Sequence, residues 1–182
     1  LPSLEEAFLQ ENGTVDYCVV RKMNNFYINN AYNAETSTSW SWGDLRNVNY
    51  FLDGLKSKEC TVDAATKAHY EGLARWFRAL FYYDKLTTYG EVPWFDKELQ
   101  NYEFDLMYKD RDSRAGIVKN IIADLDFAYE NIKTTSSIGS SLISKWAAAG
   151  FKSRVCLFEA SFRKYHEISG ELTPKYLFEQ AA

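Results

Sequence analysis

From Thr61 to Gly90 the sequence runs without a proline, and apolar residues return along it at helical intervals, so this stretch is committed to one long helix. Val62, Ala65, Leu73, Trp76, Phe77, Leu80, Phe81 and Tyr83 or Asp84 form the stripe expected to face inward, with Thr61 as the cap. Gly90 ends the helix because glycine accepts left-handed backbone, and Pro93 forbids any continuation. A helix this long needs neighbours of similar length to cover its apolar face.

The remaining sequence supplies them. Ser3 and Glu6 form a capping box for a short helix from Leu4 to about Gln10, stopped at Asn12-Gly13, and a second helix is expected from about Val15 to Ile28. "NNAYNAETSTSWSWGD" is rich in side chains that bond their own backbone, so it reads as a loop, carrying Tyr32, Trp40 and Trp42. Asp44 is expected to cap "LRNVNYFLDGL", where Leu45, Val48, Phe51 or Leu52, and Leu55 recur at helical spacing. Trp94 to Lys109 holds no period and reads as a long loop. Asp110, Asp112 or Ser113 starts the next helix, with Ile117, Val118, Ile121, Ile122, Leu125, Ala128 and Ile132 on one face. "KTTSSIGSS" is a connector, Ser144 opens a helix to about Tyr165, and Thr173-Pro174 starts another. No alternating run of β-branched residues is bounded by hairpin turns. The expected fold is all-α, with tetratricopeptide-like antiparallel helix pairs and long loops, and Ala147, Ala148, Gly150 and Ser153 let neighbouring helices approach closely.

Chemistry is more easily excluded than assigned. The net charge is −4 and the pI about 5.3, with basic residues scattered, so no electrostatic footprint for nucleic acid is present. Cys18, Cys60 and Cys156 lie far apart and are read as buried free thiols. Asp110-Arg111-Asp112 opens like a calcium loop, but Arg114 stands where an oxygen ligand belongs and Gly116 comes one place late. Ser161-Phe162-Arg163-Lys164 matches S-x-x-K without its companion motifs, and His69 and His166 are far apart in sequence. No catalytic residue, metal site or cofactor is expected, and no apolar run reaches the length of a bilayer-spanning helix.

Aromatic residues make up 16% of the chain, and their location separates two roles. Trp76, Phe77, Leu80 and Phe81, at helical spacing, are expected in the core. Tyr32, Trp40, Trp94 and Phe95 lie on loops, the first two among Asn29, Asn30 and Asn33, where a flat ring beside amide donors suits a sugar. The alternative is that these rings pin the loops onto the helices, as expected for Trp42.

"EGLARWFRALFYYDKLTTYGEVPWF" resembles the signature region of the SusD/RagB family, with its E-x-A-R-x-x-R-A-like run and Tyr-Gly-acidic-x-Pro turn. Three further segments agree in order: "LRNVNYFLDGL", "SRAGIVKNIIADLDFAYENI" with I-x-x-D-L-x-x-A, and "SKWAAAGFKSRVCLFEA". Gly72-Leu73 departs from the family's more usual Glu-Ala, displacing Glu71 by one position. The resemblance makes Arg75, Arg78, Tyr89, Gly90, Pro93, Asp124 and Leu125 scaffold residues.

It further implies a non-catalytic, surface-exposed lipoprotein of the Bacteroidetes outer membrane that captures oligosaccharides or polysaccharides and delivers them to a SusC-like TonB-dependent transporter. A helical-repeat scaffold that grips peptides, as some family members are associated with peptide uptake, is the alternative. Family members are much longer and carry a lipid-bearing cysteine near their start, so residues 1–182 are expected to be the N-terminal part of one SusD-like domain, with the anchor outside this sequence.

Overall fold

The computed structural model describes residues 40–134 and 142–182. The chain divides into a unit of Leu1–Ser41 and a unit of Trp42–Ala182, and the architecture below is that of the second. The helices expected over 4–10 and 15–28 lie outside the described residues, as does Cys18.

The fold is all-α. Its helices are α1 (Gly43–Lys56), α2 (Ala64–Tyr89), α3 (Phe104–Met107), α4 (Arg114–Asn131), α5 (Lys145–Tyr165) and α6 (Pro174–Ala181). Extended pairing among the described residues is limited to one antiparallel bridge, between Val92 and Asp112. α2 packs between α1 and α4, α4 packs on α5, and α5 on α6. Each long pair runs antiparallel. Gly72 approaches Ile132 while Arg78 meets Asp124, and Arg114 meets Glu159 while Lys152 meets Asp126.

Helix starts follow side-chain chemistry closely. Ser113 accepts from the N–H of Gly116 at the start of α4, and Thr173 accepts from Tyr176 ahead of Pro174. Two expected caps are corrected. α2 is capped by Asp63, whose carboxylate accepts from the N–H of Thr66, rather than by Thr61; α1 begins at Gly43, which puts Asp44 in its first turn. Gly90 closes α2 at φ 76°, a backbone setting that favours glycine. The loop read between Trp94 and Lys109 contains the short helix α3.

The α4 stripe is buried as the periodicity requires, with Ile117, Val118, Ile121, Leu125 and Ala128 fully enclosed. Each such isoleucine or leucine contributes about 1.5–3 kcal/mol by leaving water. The α2 stripe is corrected. Phe77 and Leu80, expected inside, are 46% and 40% exposed, Val62 precedes the helix, and the buried face runs through His69, Gly72, Ala74, Arg78, Ala79, Tyr82, Lys85 and Leu86. Trp76, Phe81 and Tyr83 still pack against the core from its edge. In α1, Leu52 is buried and Phe51 exposed.

α2 and α4 meet through one buried ion pair. Arg78 Nε and Nη2 donate to Oδ2 and Oδ1 of Asp124, each at 2.7 Å. Arg75 Nη1 stands 3.6 Å from Asp124 Oδ1, with its guanidinium 4.0 Å over the ring of Phe127, and Glu71 takes two further donors of Arg75. Burial works against the Arg78 charge, but the hydrogen bond and charge of Asp124 outweigh it and raise the pKa above the usual arginine value. At the other end of the pair, a Cβ on Gly72 would lie 3.0 Å from Cγ1 of Ile132 and 3.5 Å from Cα of Ala128. There, buried His69 accepts from the backbone N–H of Lys133 through Nδ1.

Of the described cysteines, Cys156 is fully buried, and burial pushes its thiol up to about 11, so it behaves as a small apolar group. Cys60, expected to be buried, is only half-buried. Gly150 is exposed with nothing within 4 Å of a Cβ placed there, which corrects its expected packing role; the close approach on α5 comes from buried Ala148 and from Ser153, whose hydroxyl donates to Ala181 O at 2.6 Å.

Gly72→Leu is expected to lower stability by about 1–3 kcal/mol through overpacking against Ile132, whereas Gly150→Ala should raise it by about 0.5–1 kcal/mol by restricting the unfolded chain; urea midpoints check both. Arg78→Met leaves the Asp124 carboxylate buried without its main partner and should cost about 3–5 kcal/mol, much of it regained in Arg78→Met/Asp124→Leu; a double variant no better than the single would contradict this account. Burial first, then the charge of Lys133, lowers the His69 pKa from 6.5. The unfolded chain therefore binds the proton more readily, so the His69 contribution is complete above pH 6.5 and is lost as pH falls through the folded pKa. His69→Asn keeps an acceptor that does not titrate, and should flatten the stability curve below pH 6.5.

Candidate functional site

Beyond Gly90 the chain runs as a loop over α2 and α1, stitched down by polar side chains. Asp112 N donates to Val92 O at 3.1 Å, and the Asp112 carboxylate accepts the Trp94 N–H and pairs with Lys109, each at 2.6 Å. Desolvation pushes the Asp112 pKa up, but the Lys109 and Trp94 hydrogen bonds outweigh it and hold the carboxyl below its usual range. The Tyr82 hydroxyl accepts the Phe95 N–H at 2.6 Å, and burial raises its pKa, so it stays a phenol. Arg78 Nη1 reaches Asp96 O, and the Asn49 amide donates to Phe95 O and Lys97 O, each at 3.0 Å. Asp53 accepts the Glu98 N–H, and Arg46 pairs with Glu98 at 3.0 Å.

Aromatic rings fill the space under this loop. Trp94 stacks on Tyr82 at 4.0 Å and 24°, with Arg78 5.4 Å from its centroid. Trp42, Phe81 and Phe95 form an edge-on cluster, Trp42 lying 5.6 Å from Phe81 and 5.5 Å from Phe95, so Trp42 is the staple its position before α1 suggests. Trp94, expected as a ligand contact, is thus half-buried with one face on Tyr82. Trp40 is 42% exposed. Asn29, Asn30, Tyr32 and Asn33 lie outside the described residues. Of the motif residues, Arg75, Arg78 and Asp124 come together in one network, Leu125 is buried beside it, and Tyr89, Gly90 and Pro93 form the entry to the loop.

Two exposed aromatic groups went unselected in the sequence. Tyr102, Phe104 and Tyr108 project around α3, where residues 102–106 line an open hollow of about 330 Å³. Tyr129 and Trp146 stand at the facing ends of α4 and α5 with ring centroids 6.1 Å apart. Trp146 was identifiable from the sequence as the second residue of the helix opened by Ser144, a position with no preceding helical turn to cover it.

A second buried carboxylate joins α4 to α5. Glu159, fully enclosed, receives Arg114 at 2.8–2.9 Å and Arg163 at 2.7 Å, and the Arg114 guanidinium lies 3.8 Å over Phe162. His166 rests 4.4 Å from the same ring. These groups are consumed in mutual pairing, which suits a scaffold. Among the described residues no cluster of histidine, cysteine and carboxylate side chains could hold a metal ion, and no helix is long and apolar enough to cross a membrane.

A family model described as SusD-like, starch-binding and associating with the outer membrane matches residues 3–157. No curated protein matches this chain. A crystal structure resembles it with a TM-score of 0.60 and 22% identity, over 70% of this chain and 25% of the other, so the match spans a quarter of that neighbour's length. With the model match running across most of the chain, and the Arg78–Asp124 network and the Tyr89-Gly90-Pro93 turn in place, the chain belongs to the SusD-like family.

Proposed function

We propose that this chain is part of a non-catalytic glycan-binding subunit, exposed at the cell surface as a lipoprotein of the outer membrane, that captures oligosaccharides and passes them to a SusC-like TonB-dependent transporter. The family match over residues 3–157, to proteins described as starch-binding and associating with the outer membrane, carries the reading. The chemistry of the described unit supports it. Its buried charges are spent on helix-to-helix pairing, while large aromatic rings remain at the surface, where they offer flat faces for pyranose stacking. Trp40, with Tyr32, Asn29, Asn30 and Asn33, is one proposed sugar contact and the exposed part of Trp94 a separate one; the amides would serve the hydroxyls and the rings the apolar faces.

A glycan array with the full-length protein should give binding to at least one oligosaccharide class, and Trp40→Ala should weaken that binding about tenfold. Unchanged affinity would remove Trp40 from the site, and preference for oligopeptides in direct competition would overturn the glycan reading in favour of peptide uptake.

A further inference from the structure

We propose that Trp146, Tyr129 and Lys145 form a subsite for glycans that carry uronic acids, a specificity that rests on the glycan reading and goes beyond it. Trp146 is 57% exposed and Tyr129 39% exposed, and their rings meet edge to face at 65°. The Lys145 ammonium lies 4.7 Å from the Trp146 centroid and 5.6 Å from that of Tyr129. A cation is therefore held over two exposed rings at the corner where α4 ends and α5 begins.

The charge that favours an anion at this corner is the Lys145 ammonium, since the negative C-terminal end of α4 lies beside the positive start of α5 and offsets it. Lys145 forms no ion pair among the described residues. The first turn of α5 contains no acidic residue, and the buried Ser144 side chain makes no capping bond, so the positive end of the helix is not offset by a carboxylate of its own. Asp126, almost one turn before Tyr129, is held by Lys152 at 2.7 Å. Glu130 follows Tyr129 but projects about 100° further round α4. A pyranose stacked on the indole brings a ring carboxylate within reach of the Lys145 ammonium, whereas a neutral hexose leaves that ammonium to water.

The test is calorimetric titration of the full-length protein with tetragalacturonate and, in parallel, with a neutral tetrasaccharide, for wild type, Lys145→Gln, Trp146→Ala and the remote control Tyr165→Ala. Tetragalacturonate should bind the wild type, more weakly as salt rises, and both subsite variants should weaken it about tenfold with unchanged thermal melting. Tyr165→Ala should leave it unaltered. Failure of tetragalacturonate to bind while neutral glycans do, or equal binding by all variants, overturns the subsite and leaves the glycan reading standing. Absence of binding to every sugar on the array overturns both.

Discussion

Asp124 is the carboxylate on which the arrangement of α2, α4 and the following loop depends. Both of its oxygens are taken by Arg78, Arg75 approaches from the next turn, and the remaining arm of Arg78 reaches the carbonyl of Asp96 in the loop. Removing such a pair from water costs several kcal/mol per ion, so it forms only where Ile121, Leu125 and Tyr82 have already excluded solvent. Its value lies in register. Sliding α4 by one residue would turn Asp124 by about 100° and strand a buried guanidinium, a penalty that apolar ridges alone would not impose.

The loop conformation follows from that register. With Arg78 fixed, Tyr82 one turn later presents its hydroxyl to the Phe95 N–H and its ring to Trp94. Asn49 and Asp53 on α1 then satisfy the backbone of residues 95–98, so the loop is joined to two helices at once. The concentration of aromatics around Pro93 is thereby accounted for as structure: the rings fill the space beneath the loop, and side-chain groups of Tyr82, Asn49, Asp53 and Asp112 take the place of the backbone ladder that an irregular segment lacks.

The helix inventory was legible because it rests on local signals. Ser113, Thr173 and Gly90 bound their helices as their chemistry predicts, Ser144 precedes α5 without a capping bond, and the isoleucine-rich face of α4 has no polar residue to confuse its phase except Asp124. α2 was misphased for the opposite reason. Its buried face includes His69, Arg78 and Lys85, which a hydrophobicity pattern assigns to solvent, while Phe77 and Leu80 supply apolar signal on the exposed side. What makes Arg78 an interior residue is Asp124, distant in sequence, and no local window contains that information. The family motif did contain it, since it marks Arg75, Arg78 and Asp124 without reference to hydropathy. The candidate ligand residues were less legible, because exposure on a loop is decided by what packs beneath: Trp94 lies in a loop and is nevertheless stacked on Tyr82, whereas Tyr129 and Trp146 lie in helices and face outward.

That contrast bears on where recognition is best placed. Tyr102, Phe104 and Tyr108 surround a four-residue helix that buries none of its own side chains, so ordering them around a ligand would cost conformational entropy. Tyr129 and Trp146 sit on helices whose backbones are held together by Ala128, Ile132 and Ala148, and the two rings touch edge to face. A ring carried on a packed helix has only its side-chain torsions left to order, and a neighbouring ammonium adds a preference for charge that stacking alone cannot supply. The rigid helix corner therefore favours selective binding, and the aromatic loop around α3 favours contacts that tolerate rearrangement.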